Sequence, residues 1–169
     1  MNLKKIICWP PLLGGIGAGV TIAILAYITF QSTLAGTNYG LWLAASFGSS
    51  VVVVFGYPDN EFAQPKNVLF GHLLCAFIGV IFVTLFKISQ DRTIFFLAIG
   101  IAVGIAVMLM MALKITHPPA GGNTIVVMLA QDSFQFLIFP VMAGAITIIL
   151  GGIIYNRFIL KKKYPLRWS

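Results

Sequence analysis

Chemistry concentrates in Thr116-His117-Pro118-Pro119-Ala120-Gly121-Gly122-Asn123-Thr124, a polar, proline-fixed and glycine-rich interval set between apolar runs. Pro118 and Pro119 carry no N–H, which removes two donors that would otherwise need partners, and Pro119 suits the first turn of a following helix. Gly121, Gly122 and Asn123 then stand where main-chain amides would be offered with little side chain in the way, and Thr124 adds a hydroxyl. Free N–H groups and the positive end of a helix dipole favour a negative ligand by ~0.3–2 kcal/mol. The plainer alternative is a helix break kept for packing. His117 suits a proton-linked switch or a ligand donor, because imidazole titrates near neutral pH without large perturbation. A cap whose ring bonds a carbonyl would look the same in sequence.

Further polar residues sit inside or beside apolar runs. His72 follows Gly71 within a long run, and an ionisable group at membrane depth is costly unless it faces the bundle interior or a cavity. A histidine bonded to a neighbouring helix satisfies that condition equally well. Gly48, Ser49 and Ser50 interrupt another run and could supply small hydroxyl and amide donors opposite the first site, or only interhelical bonds. Lys66 and Asn67 begin a helix, where a cation opposes the dipole and gains nothing from it, which favours a functional or partner-bound lysine. Lys114 precedes the break, where it attracts anions to a vestibule or snorkels to the interface.

The elements that must hold these residues are membrane segments. Of 169 residues, 59% are hydrophobic and 9% charged, and a soluble domain carries about 25% charge. Mean hydropathy is +0.98. Apolar runs of about 14 to 23 residues alternate with short polar intervals. Four are long: 10–30, 65–86, 93–113 and 134–158. Two are short: Leu41 to Tyr57, divided by Gly48-Ser49-Ser50, and Pro119 to Ala130, which as a helix reaches only ~18 Å of a ~30 Å hydrocarbon core. The sequence therefore predicts a single all-α transmembrane domain over 1–169, with four long transmembrane helices plus two short broken or re-entrant ones. Its halves, 8–88 and 92–160, share one grammar of long helix, small-residue break, acid-bearing loop and long helix. Paired interrupted segments of that kind point to a substrate site near the midplane.

The formal net charge of +7 forms no stripe on a polar fold, so lipid headgroups rather than nucleic acid are the expected partner. If the short segments re-enter, Lys87 and Arg92 join the basic chain ends on one side while Lys66 and Lys114 face the other. If all six segments cross, the two pairs exchange. Either way nine basic residues fall on one side and two on the other, so the positive-inside rule puts both termini in the cytoplasm and leaves the crossing number open. Cys8 and Cys75 lack metal or disulfide spacing and are expected to be free thiols. There is no GxSxG, HExxH or Walker loop, and the four acids are loop-bound, so neither an enzyme nor a metal or other cofactor is expected.

Taken in order, Phe47-Gly48-Ser49-Ser50, then Pro58, Ala63-Gln64-Pro65-Lys66-Asn67 with Gly71-His72, and finally Thr116-His117-Pro118-Pro119-Ala120-Gly121 resemble the successive signatures of the HPP family of integral membrane proteins. The likeness covers about 47–124. It departs at Gly122, where a second alanine would be expected. The resemblance implies a four-helix membrane protein and an association with nitrite transport. The expectation is thus an inner-membrane passage for a small monovalent anion, nitrite first. Its substrate-binding set would be His117, Gly121, Gly122, Asn123, Thr124, Gly48, Ser49, Ser50, Lys66, Asn67 and His72. A homo-oligomer is expected, joined through the spaced glycines Gly15/Gly19 or Gly100/Gly104. The competing expectations are a non-transporting scaffold or sensor subunit and a transporter of another small solute.

Overall fold

A computed structural model describes residues 9–33, 39–87 and 92–167. Lys4, Lys5, Cys8, Asn38, Asp91 and Trp168 lie outside them. The described residues contain helices and no strands: α1 (Trp9–Thr33), α2 (Tyr39–Gly56), α3 (Pro65–Thr84), α4 (Arg92–Ala112), the short α5 (Gly121–Ala130) and α6 (Ala143–Ile153). Helix α6 is the regular centre of an apolar span, Leu137–Ile159, flanked by wide π-helical turns at Leu137–Met142 and Ile154–Ile159. Pro140 accounts for the kink at its start: Phe139 before it is extended (φ −135°, ψ 123°), the conformation that a following proline favours.

Four spans are long and apolar enough to cross a membrane: Pro11–Thr29, Pro65–Thr84, Ile94–Ala112 and Leu137–Ile159. The sequence bounds hold to within a few residues because the polar intervals mark where helices meet water. Of the two short segments, α5 has the expected form, 10 residues or ~15 Å long. Helix α2 differs from expectation: it runs unbroken for 18 residues through Gly48-Ser49-Ser50. A hydroxyl in a helix can satisfy itself on the preceding turn, as Thr84 Oγ1 does with the Val80 carbonyl at 2.7 Å and Thr147 Oγ1 with that of Ala143 at 2.8 Å, so small polar residues need not interrupt it.

Helices α3 and α5 form the spine. Val68, Ala76 and Val80 of α3 join a core built with α1, α2 and α6, while Cys75, Ile78 and Phe82 on its other side join a core built with α4. Gly79 permits the close approach of α5, since a Cβ there would lie 2.9 Å from the Thr124 carbonyl oxygen. Outward faces are apolar: on α4, Ile94, Phe96, Leu97, Ile101 and Met108 are all exposed, as lipid requires.

Which ends lie together follows from hydrogen bonds between distant residues. Tyr164 donates to the Ala63 carbonyl, the Leu166 amide to Gln64 Oε1, Asn156 to the Val54 carbonyl and Asn67 to the Thr116 carbonyl. The α2–α3 connection, the α4–α5 connection and the C-terminal strap therefore share one end of the bundle. Helix α3 leaves that end and α4 returns to it, which puts Lys87 and the start of α4 at Arg92 at the other. Lys66 and Lys114 thus lie with Lys161, Lys162, Lys163 and Arg167.

Candidate functional site

Four segments deliver one polar cluster. Helix α4 stops in a Schellman arrangement: Lys114 takes a left-handed conformation (φ 54°), the Ile115 amide reaches the Met110 carbonyl and the Lys114 amide reaches that of Met111. The chain then turns back with His117 extended (φ −134°, ψ 96°) and begins a 3-10 turn, Pro118–Ala120, that runs straight into α5. His117 meets His72 of α3, ring centroids 5.0 Å apart, because Gly71 leaves no side chain between them. A Cβ on Gly71 would lie 2.9 Å from His117 Cβ.

Ser50 joins the two imidazoles. Its Oγ is 2.8 Å from His72 Nε2 and 2.9 Å from His117 Nε2. At the outer end His117 Nδ1 lies 2.7 Å from the Phe62 carbonyl, which can only accept, so Nδ1 carries the proton and Nε2 of a neutral ring must accept from Ser50. Ser50, its hydrogen given to His117, accepts from His72 Nε2–H. His72 Nδ1 is then an acceptor, and Asn123 Nδ2 supplies its donor at 2.9 Å. The result is one directed chain, Asn123 to His72 to Ser50 to His117 to the Phe62 carbonyl. All four side chains are fully buried. Burial pushes the His117 imidazole down to about 4, the Phe62 hydrogen bond opposing the shift in part. Asn123 Oδ1 has no partner.

Above the cluster lies a basic vestibule. One cavity of about 530 Å³ is lined by Glu61, Phe62, Asn67, Met111, Lys114 and Thr116. A smaller one of about 210 Å³ shares Glu61, Asn67 and Lys114 and adds Gln64, Lys66 and Arg167. Three cations face one carboxylate there. The strap supplies one of them: the Leu166 and Arg167 amides bond Gln64 Oε1 at 2.8 and 3.3 Å, bringing Arg167 to the rim. His72 is seven residues into α3, so the cluster lies ~10 Å below the start of that helix.

The expected residues divide accordingly. His117, His72, Ser50 and Asn123 come together, and Lys66 and Asn67 line the vestibule. One of the amides is not free as expected. That of Gly121 is spent on the Pro118 and Pro119 carbonyls, because the 3-10 turn continues directly into α5. The Thr124 hydroxyl donates to the Cys75 carbonyl at 2.8 Å. Ser49 is exposed on the outward face of α2, and Gly48 beside it is half-buried with open space where a Cβ would sit. Ser46 and Ser50, four apart, face inward instead. Ser46 was missed by sequence reasoning, although its spacing from Ser50 was the available signal. It also touches the departure at Gly122: a Cβ there would lie 2.6 Å from Ser46 Oγ. Cys75 is a buried free thiol, 3.5 Å from Met110 Sδ.

A family model described as "HPP, transmembrane region" matches residues 5–165. Two Dictyostelium discoideum proteins, each described as a transmembrane protein, are similar: one is 33% identical over 87% of this chain and 52% of its own length, the other 31% over 88% and 48%. The chain spans about half the length of these curated relatives. No solved structure matches it.

Proposed function

The chain belongs to the HPP family of transmembrane proteins, and from the geometry of its site we propose that it carries a small monovalent anion, nitrite first, across the inner membrane. The observation that carries the reading is the stacking of two features: a vestibule lined by Lys66, Lys114 and Arg167, and beneath it the buried His117–Ser50–His72–Asn123 chain. Clustered cations raise the local concentration of an anion at the mouth. Ionisable side chains held within a transmembrane bundle are costly and mark ion or substrate pathways. In this reading Lys66, Lys114 and Arg167 gather the anion, His117 couples it to a proton, and Asn123 and Ser50 receive it. In this reading the chain acts as a passage and not as an enzyme, and calls for no cofactor.

The basic end faces the cytoplasm by the positive-inside rule. Copies associate through the outward glycines. Gly15, Gly19, Gly100 and Gly104 each have open space where a Cβ would stand, as a helix from another copy requires. A second reading draws on the sealing of the cluster: with Ser50, His72, His117 and Asn123 fully buried, the chain could serve only to lock α2, α3 and α5 in a non-transporting scaffold.

Nitrite uptake into liposomes holding the protein separates the two. Transport predicts uptake well above empty vesicles, lowered at least tenfold by His117→Ala in protein that still purifies folded. Uptake equal to empty vesicles ends the transport reading.

A further inference from the structure

We infer that this site passes only the anions of weak acids, each together with one proton held by the His72–Ser50–His117 chain, so that transport is electroneutral and anions of strong acids are refused. This rests on the transport reading and adds to it the substrate class and the coupling.

Charge decides what the site can admit. The two rings meet, within hydrogen-bonding reach among the described residues, only Ser50 of α2, Asn123 of α5 and the Phe62 carbonyl of the α2–α3 connection. None of these is charged. Lys66, Lys114, Arg167 and Glu61 line the vestibule, and among the described residues none of them bonds to the cluster. A bare anion descending from the vestibule would exchange water and three cations for a neutral, dry site, and burying an unpaired charge is prohibitive. An extra proton on either imidazole faces the same penalty with opposite sign. Together they cancel.

The hydrogen bonds show where the proton would rest. The Asn123 amide turned by 180° would present Oδ1, now without a partner, to His72 Nδ1 in place of Nδ2. In that orientation His72 Nδ1 must carry a proton. Asn123 therefore serves both states of His72 from one position, giving a hydrogen bond to the neutral ring and accepting one from the protonated ring. Loading takes a proton from hydronium of the aqueous side, so that one O–H bond breaks, water is left, and one N–H bond forms at His72 Nδ1. Release breaks one N–H bond as the anion's oxygen gains its O–H, and the departing species is the neutral acid. One proton enters, one leaves, and no electron moves.

Selectivity follows from basicity. An anion basic enough to take a proton from imidazolium in a dry site, such as nitrite or formate, leaves as a neutral molecule. Nitrate and chloride cannot.

The test uses proteoliposomes containing the full chain and an entrapped pH dye, with the membrane potential set by potassium and valinomycin. Nitrite, formate, nitrate and chloride are applied in turn, and leakage of the free acids is subtracted with empty vesicles. The expected result is nitrite and formate uptake with matching lumenal acidification, rates unaffected by the imposed potential and rising as external pH falls, and no nitrate or chloride uptake. Ser50→Ala, in protein that still purifies folded, should reduce nitrite uptake and acidification together by at least tenfold. Nitrate or chloride moving as fast as nitrite, or nitrite uptake that follows the potential, overturns the coupling and leaves anion transport standing. No uptake of any anion overturns both.

Discussion

A serine between two imidazoles has one hydrogen to give, and that count fixes the rest of the site. Because the Phe62 carbonyl cannot donate, every proton position from His117 back to Asn123 is determined, provided both rings are neutral. Neutrality has a pH consequence. His117 is held at about 4 by burial against an ordinary 6.5, so between those values the unfolded chain binds more protons than the folded one. Stability from this group is fully present above pH 6.5 and is lost as pH falls toward 4. Thermal unfolding of the detergent-solubilised protein should show a melting temperature that falls across that window, with a shallower fall in His117→Gln. Equal slopes in the two proteins would show that His117 is not buried as a neutral ring.

Among the elements, α3 carries both the site and the packing, and its glycines make this possible. An alanine at 79 would press its Cβ against the Thr124 carbonyl oxygen, which is backbone and cannot swing away. Separating α3 from α5 in this way should cost about 1–3 kcal/mol. Gly100 on α4 has the opposite surroundings, with nothing within 4 Å of an added Cβ. Gly79→Ala should therefore lower the unfolding midpoint in detergent, while Gly100→Ala leaves it unchanged or slightly raised, since alanine is the better helix former. A Gly79→Ala protein as stable as the parent would mean that α3 and α5 do not touch there. The connections are equally specific. Schellman endings at Lys114 and at Gln131 (φ 53°) stop α4 and α5 without a glycine, and the first of them turns the chain so that His117 points back into the bundle.

For the whole molecule, the decisive feature is the gathering of basic residues at one end. Lys66, Lys114, Lys161, Lys162, Lys163 and Arg167 lie with the α2–α3 connection, while Lys87 and Arg92 lie at the opposite end. An odd number of crossings separates Lys66 from Lys87, because the span Pro65–Thr84 runs from one end to the other. With both native cysteines replaced, Lys162→Cys should react with a membrane-impermeant thiol reagent only in inside-out vesicles, and Lys87→Cys only in right-side-out vesicles. Labelling of both from one side would contradict the shared end of the strap and the α2–α3 connection.

The apolar content and the spacing of polar intervals determined by themselves that this is a helical membrane protein, where its long spans lie, and that the Thr116–Thr124 stretch interrupts them. Those properties are local, set by what each window of residues loses on contact with hydrocarbon. The face that each helix turns inward is not local. In water a helix shows its buried side by contrast with polar residues, but here both the lipid and the core are apolar and the contrast disappears. Only the tertiary structure could therefore decide that Ser50 and not Ser49 meets the histidines. The same holds for His72 and His117, brought to one serine from 22 and 67 residues away, and for the Gly121 amide, turned back into its own chain. Helix rotation and close glycine contacts made those choices, through packing distances that no single stretch of the sequence contains.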